Sequence, residues 1–258
     1  MSTSRPSVAD LRRLGQPPGW IERYSGEHWA GRLYARRVSP YVTWALVRTP
    51  LSANAITILM GALGVLGAGF FAFRGLLWPV IGALLIQVYL ILDCSDGEVA
   101  RWRGTTGATG IFLDRLGHYA VEASLFAAMG ARAAFDFDNG GWFAMGLVAS
   151  LLHVLGKAET DLVHVARAKA GLEPAADEEH VSLPQASGLA AFRRAARAFP
   201  IYRLTGAIEA SLLALVLIVI GDRWADGVEH AFVPASVIVT GIILVGHLVM
   251  ILASNRLR

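Results

Sequence analysis

The chain has 258 residues, of which 55% are hydrophobic and only 17% are charged. A soluble globular domain is usually less apolar and more charged, so this composition argues against an ordinary water-soluble fold. The length allows about six membrane spans of roughly 20 residues each. The formal net charge is +3, and we expect no nucleic-acid partner. Nearly all basic residues are arginines. Arginine pairs bidentately with phosphate, which suits a site for phosphate esters. The base composition of the genome explains the arginine content equally well.

Residues 1–50 read as a cytoplasmic tail followed by an interfacial helix. The first part, residues 1–31, is polar and interrupted by Pro and Gly, and it lacks the apolar stretch of a cleaved signal peptide. Arginines mixed with apolar and aromatic residues in 32–50 predict an amphipathic helix along the lipid headgroups. An ordinary surface helix is the alternative.

Residues 51–258 are predicted to form one domain of six transmembrane helices, which makes the chain an all-α integral membrane protein. The predicted spans are about 53–73, 76–100, 107–133, 141–168, 204–221 and 233–253, with a polar cytoplasmic loop at 172–199. Basic residues concentrate before the first span, after the second, after the fourth and at the C-terminus. By the positive-inside rule we expect both termini on the cytoplasmic side of the cell membrane. The connection between spans two and three is expected on the same side.

Ionisable residues in spans two and three are the most informative feature. Asp93 and Asp96 are three residues apart and Asp114 and His118 four, so each pair lies on one side of its helix. Such groups are costly in a membrane and usually functional, although buried carboxylates also mark the ion paths of transporters. Carboxylates beside Arg101 and several small residues predict a site for a hard divalent cation and a pyrophosphate-bearing substrate.

The spacing resembles that of the CDP-alcohol phosphatidyltransferases. Their pattern D-x-x-D-G-x-x-A-R, eight residues, G-x-x-x-D-x-x-x-D is matched here at Asp93, Asp96, Gly97, Ala100, Arg101, Gly110 and Asp114. The segment that leads into span one, with Pro50, Asn54 and Thr57, is similar to the family's P-N-x-x-T. The resemblance implies that an alcohol hydroxyl attacks the β-phosphorus of a CDP-alcohol and releases CMP.

The resemblance also implies site residues, cofactors and partners. Two divalent ions, Mg²⁺ or Mn²⁺, are expected on Asp93, Asp96 and Asp114. The CDP-alcohol is expected to contact Asn54, Thr57, Gly97, Ala100, Arg101 and Gly110. Family members commonly form homodimers, so we expect a homodimer.

His118 departs from the family pattern, which has an aspartate at this position. A neutral imidazole can accept the proton of the attacking hydroxyl, and it can also bind a transition metal. His118 is therefore interpreted as the catalytic base and a potential metal ligand. Two alternatives stay open: another group serves as the base, or the protein is an inactive homologue.

Four residues are expected to contact the acceptor: Lys157, Asp161, Arg197 and Arg203. Lys157 and Asp161 share one side of span four, where the alternative is that they pair with each other. The two arginines precede span five, where the alternative is simple positive-inside anchoring. The leading hypothesis is transfer from CDP-diacylglycerol to a small polar or phosphorylated alcohol. The alternatives are a soluble CDP-alcohol donor with a lipid acceptor, and a catalytically inactive membrane lipid-binding protein.

Overall fold

The computed structural model describes residues 6–16, 30–173, 206–225 and 227–257. Within these ranges, two short helices precede six longer ones. The short helices are α1 (Val8–Gly15) and α2 (Arg36–Leu46). The longer helices are α3 (Ala53–Gly69), α4 (Leu77–Arg103), α5 (Ala108–Phe137), α6 (Gly140–Lys169), α7 (Ala207–Arg223) and α8 (Phe232–Ala253). Short π or 3₁₀ turns occupy Gly31–Ala35, Phe70–Ala72, Val228–Ala231 and Asn255–Leu257.

Local chemistry fixes where the helices begin and end. The Ser52 hydroxyl accepts a hydrogen bond from the Ala55 amide at 3.1 Å and so caps α3. Gly104 ends α4 with a left-handed φ of 65°, a conformation that glycine adopts without steric cost. Helix α4 therefore continues to Arg103, three residues beyond the predicted end of span two. The four residues 104–107 then reverse the chain into α5.

In the part of the chain that the structure describes, four helices are long and apolar enough to cross a membrane. They are Ala53–Ala72, Leu77–Arg103, Gly140–Lys169 and Val228–Ala253, each with its flanking turn where one is present. Helix α5 has 30 residues but carries charged side chains along its length, and α7 has only 17 residues. The structure thus supports an all-helical membrane architecture, while the count of six spans stays a prediction.

Glycine contacts bring the central helices close together. Helix α5 packs against α3 and α6, and α3 also packs against α4. Where α5 crosses α6, a Cβ on Gly146 would lie 2.8 Å from the Cα of Gly130. Where α3 crosses α4, a Cβ on Gly82 would lie 2.5 Å from the Gly67 carbonyl oxygen. Small residues at these crossings allow the backbones to touch, which compacts the helices that carry the charged residues.

The N-terminal helices dock on α4 through one buried carboxylate. Glu98 is only 1% exposed. It accepts hydrogen bonds from Ser39 Oγ at 2.7 Å, Thr43 Oγ1 at 2.6 Å and Gln16 Nε2 at 3.0 Å. Residues 32–50 were predicted to form an interfacial helix; the structure shows a π turn that continues directly into α2, and α2 packs against α4. Its position relative to lipid headgroups stays a prediction.

Candidate active site

Helices α4 and α5 bring three metal-ligating side chains together. Nε2 of His118 lies 3.1 Å from Asp93 Oδ1 and 3.4 Å from Asp114 Oδ1. One ligand atom from each residue lies within 4.8 Å of the others. All three side chains are partly exposed, so a ligand can approach them. Two carboxylates and an imidazole at these distances fit a divalent cation.

Asp96 is held apart from this cluster by α3. The Thr57 hydroxyl donates to Asp96 Oδ2 at 2.5 Å, and the Gly97 amide donates to Oδ1 at 2.5 Å. Asp96 is also more deeply buried than Asp93 or Asp114. The cluster found among the described residues does not include it, so its metal-binding role stays a prediction.

The residues predicted to contact the CDP-alcohol come from α3, α4 and α5. Asn54 faces Gly110, whose Cβ, if present, would lie 3.4 Å from the Asn54 side-chain oxygen. The Arg101 guanidinium covers Gly97, at 3.1 Å from the equivalent Cβ position. Nη2 of Arg101 also donates to the Gly15 carbonyl at 3.0 Å, which links α4 to α1. Ala100 packs against the apolar core.

Tyr89 is the main residue that the sequence analysis missed. Its hydroxyl lies 2.5 Å from Nδ1 of His118, and its ring meets the imidazole edge-on at a centroid distance of 5.7 Å. Tyr89 is buried in the core. It precedes Asp93 by four residues on α4, so its position on the motif face was a usable signal.

Lys157 and Asp161 bind partners on α5 rather than each other. Lys157 Nζ lies 2.9 Å from Glu122 Oε1. Asp161 accepts a hydrogen bond from the Tyr119 hydroxyl at 2.5 Å and lies 3.6 Å from Arg115 Nε. The structure does not pair Lys157 with Asp161, and these two residues of α6 instead make three polar contacts with α5.

Two of the predicted acceptor residues, Arg197 and Arg203, lie outside the described residues. Of the other two, Lys157 pairs with Glu122, which lies one helical turn after His118 on α5.

Residues 51–176 match the family model described as CDP-alcohol phosphatidyltransferase. This segment is a CDP-alcohol phosphatidyltransferase domain. It contains α3 to α6 and therefore Asp93, Asp114 and His118. The predicted resemblance to this family is confirmed.

Two curated proteins each match somewhat less than half of the chain. A bifunctional IPC transferase and DIPP synthase from Aquifex aeolicus is 29% identical over 121 residues, which are 47% of this chain and 26% of that protein. A phosphatidylinositol phosphate synthase from Streptomyces avermitilis is 29% identical over 112 residues, 43% of this chain and 44% of that protein. The chain thus spans less than half the length of each relative.

Solved structures show that the fold is shared with a membrane enzyme. A crystal structure of Mycobacterium tuberculosis phosphatidylinositol phosphate synthase with CDP-DAG bound superposes with a TM-score of 0.57 and 17% identity, covering 84% of this chain and 95% of that chain. The apo form of the same synthase gives a TM-score of 0.53 and 16% identity, covering 83% and 96%. At this identity the likeness establishes the helical fold.

Proposed function

We propose that the protein transfers a phosphatidyl group from CDP-diacylglycerol to the hydroxyl of a small polar alcohol and releases CMP. The observation that carries this proposal is the convergence of Asp93, Asp114 and His118 within a segment that matches the CDP-alcohol phosphatidyltransferases. Ionisable residues without a shared role would not be expected to place their ligand atoms within metal-binding distance of one another. Their meeting at the family spacing supports a catalytic site.

A lipid donor is favoured over a soluble one. The cluster lies on α4 and α5, which both pack against α3, and α4 is apolar enough to span a membrane, so acyl chains have apolar surface beside the site. The M. tuberculosis synthase with the same fold is seen with CDP-DAG bound. We therefore assign CDP-diacylglycerol as donor, and Asn54, Thr57, Gly97, Ala100, Arg101 and Gly110 as the residues around its nucleotide part.

The reaction exchanges one phosphorus–oxygen bond for another. The acceptor oxygen forms a bond to the β-phosphorus, while the bond from this phosphorus to the bridging oxygen breaks and its electron pair leaves with CMP. The acceptor hydroxyl gives its proton to Nε2 of His118. Because Tyr89 occupies Nδ1, Nε2 is the nitrogen directed at Asp93 and Asp114, where the proton is stabilised by two carboxylates.

Divalent ions fit the donor set at this site. Asp93, Asp96 and Asp114 would hold Mg²⁺ or Mn²⁺, two ions by analogy with the family. His118 Nε2 would be a further ligand only in the alternative in which another group serves as the base. When bound, the cations supply positive charge that neutralises pyrophosphate oxygens. Thr57 fixes the rotation of the Asp96 carboxylate through its hydrogen bond, so α3 contributes to the shape of the site.

A phosphorylated polyol, such as inositol phosphate, is the acceptor that we favour. Lys157 and Arg115 are cations on the two helices beside the cluster, and each is already paired with a carboxylate that a phosphate could replace. The S. avermitilis relative is named for the synthesis of phosphatidylinositol phosphate. Arg197 and Arg203 remain proposed contacts for the same phosphate.

A reaction assay separates these proposals. Purified protein is incubated with CDP-diacylglycerol and Mg²⁺ or Mn²⁺, with inositol phosphate, glycerol phosphate or unphosphorylated inositol as acceptor, and CMP release is measured. We expect CMP with a phosphorylated acceptor, and none from Asp93→Asn. CMP released only from a soluble CDP-alcohol with a lipid acceptor would reverse the donor assignment. Nucleotide binding without CMP release would favour an inactive lipid-binding homologue.

The remaining proposals concern placement and assembly. We retain six membrane spans, cytoplasmic termini with the active site on the cytoplasmic side of the cell membrane, and a homodimer. Protease accessibility of terminal tags in sealed vesicles tests the orientation, because a cytoplasmic tag is cleaved only in inverted vesicles. Mass measurement of the protein in detergent tests the dimer.

A further inference from the structure

A second group of metal-ligating side chains lies at the other end of α5. Asp136 is near the C-terminal end of this helix, and Glu229 and His230 belong to the 3₁₀ turn before α8. One ligand atom from each of the three lies within 4.8 Å of the others. Asp114 and Asp136 are separated by 136 − 114 = 22 positions in the chain. At 1.5 Å per helical residue the two clusters are about 33 Å apart, so the second is independent of the active site.

The geometry of this outer cluster is close to that of a metal site. Nε2 of His230 lies 3.5 Å from Asp136 Oδ2 and 3.9 Å from Glu229 Oε1. In a tetrahedral Zn²⁺ site with bonds of about 2.0–2.1 Å, neighbouring ligand atoms are about 3.3 Å apart. Small side-chain movements would therefore bring all three atoms onto one ion.

Glu229 gives an independent indication that a cation is needed here. The residue is only 8% exposed. Its Oε1 faces His230, while no hydrogen-bond donor reaches its buried Oε2 in the part of the chain that the structure describes. Gly221 on α7 leaves the slot for this carboxylate, because a Cβ there would lie 2.0 Å from Oε2. A buried ionised carboxylate that lacks a full set of donors is costly unless a cation binds it.

Neighbouring residues orient the other two ligands. Nε of Arg74 donates to Asp136 Oδ1 at 2.6 Å, which leaves Oδ2 directed at His230. The rings of Phe137 and Trp142 lie beside the imidazole, with centroid distances of 4.5 Å and 6.2 Å. Such supporting contacts are typical of metal ligands, because they fix the direction of each donor atom.

We propose that Asp136, Glu229 and His230 bind one transition-metal dication of the Zn²⁺ type. An imidazole with two carboxylates suits such ions. The bound ion would join the turn before α8 to the end of α5 and so stabilise the helix bundle far from the cluster at Asp93. This site goes beyond the transfer reaction and does not depend on it.

Metal content of the full-length protein tests the site. The protein is purified in detergent, stripped with a chelator, loaded with Zn²⁺ and desalted, and its zinc is measured by mass spectrometry. We expect His230→Gln and Glu229→Gln each to hold one equivalent less than the unchanged protein. Asp93→Asn should keep that equivalent. The matched control is His247→Gln, since His247 pairs with Glu159 at 2.9 Å and belongs to no three-ligand cluster among the described residues.

Two further measurements keep the test decisive if the buried variants fold poorly. Asp136 is more exposed than its two neighbours, and Asp136→Asn should also lose the equivalent. Co²⁺ added alone to the stripped, unchanged protein should give a visible absorption band of low-symmetry coordination, and His247→Gln should keep this band. Zinc content equal in all variants would overturn the proposal, and would leave the direct contacts of His230 with Asp136 and Glu229 as the explanation of the cluster.

Discussion

The hydroxyl of Tyr89 and Nδ1 of His118 are 2.5 Å apart, and the opposite nitrogen of the same ring faces Asp93 and Asp114. One buried tyrosine on α4 thus fixes which nitrogen of His118 is presented to the reacting groups. In metalloenzymes, residues that orient a histidine in this way affect activity strongly although they do not touch the substrate.

Tyr89→Phe should lower the turnover number for CMP release by about 10-fold, because the imidazole loses the bond that sets its orientation. The KM for the CDP-alcohol should change little, since Tyr89 is not expected to contact it. Tyr34→Phe is the matched control, because it removes a tyrosine hydroxyl bonded to Gln87, elsewhere on α4. Equal effects of the two variants would mean that Tyr89 has only a packing role.

Replacement of His118 distinguishes its proposed roles. His118→Ala should lower activity by about 100-fold or more, as expected for the loss of a general base. His118→Asp restores the residue of the family pattern and should keep activity with Mg²⁺, because a third carboxylate beside Asp93 and Asp114 strengthens cation binding. Initial rates of CMP release check both. An inactive His118→Asp beside an active His118→Ala would show that His118 is not the base.

Asp96→Asn should abolish CMP release and weaken metal binding, measured by calorimetry with Mn²⁺. Thr57→Val should give a smaller loss of about 10-fold, because it removes the hydroxyl that holds the Asp96 carboxylate. Thr240→Val is the control, since Thr240 is also buried but contacts His153 instead. Full activity of Asp96→Asn would remove Asp96 from the metal site.

Glu98→Ala should destabilise the protein by about 3 kcal/mol, because the hydroxyls of Ser39 and Thr43 and the amide of Gln16 lose a buried acceptor. Ser39→Ala should cost only about 1 kcal/mol, since two of these donors then remain on Glu98. Unfolding in detergent measures both. Faster proteolysis near α1 in Glu98→Ala alone would confirm that this carboxylate holds the N-terminal helices, and similar stability of the two variants would contradict it.

Gly146→Ala should destabilise the contact between α5 and α6 by about 1–3 kcal/mol, because the added Cβ meets the backbone of Gly130 and Phe126 at 2.8 Å. Gly156→Ala is the control on the same helix, where the nearest atom to the new Cβ is 4.0 Å away. It should be neutral or stabilising, because alanine has the higher helix propensity. A lower midpoint of thermal unfolding for Gly156→Ala than for Gly146→Ala would contradict the close contact between α5 and α6.

The sequence predicted the features that depend on spacing within one helix. Intervals of three and four residues placed Asp93, Asp114 and His118 on faces that do meet, and long apolar stretches predicted the helices themselves. The predicted end of span two fell three residues early, because the polar residues after Ala100 were taken as a turn, whereas α4 runs to Arg103 and ends at Gly104.

Contacts between helices were not predictable in the same way. The pairing of Lys157 with Glu122 rather than Asp161 depends on how α6 is rotated against α5, which no periodicity in one helix determines. Tyr89 and Glu98 were missed for the same reason: each looks like an ordinary position on α4 until its partner from another helix is known.

Glu98 lies inside the family pattern, between Gly97 and Ala100, yet its three hydrogen-bond donors all precede residue 51, where the family match begins. The segment that matches the family therefore begins after residues on which the fold of α4 depends. A chimera that transplants residues 51–176 onto a foreign N-terminal arm would leave this carboxylate without donors in the interior. Either the new arm must provide a hydroxyl or amide for it, or residue 98 must be replaced by a neutral side chain in the same exchange.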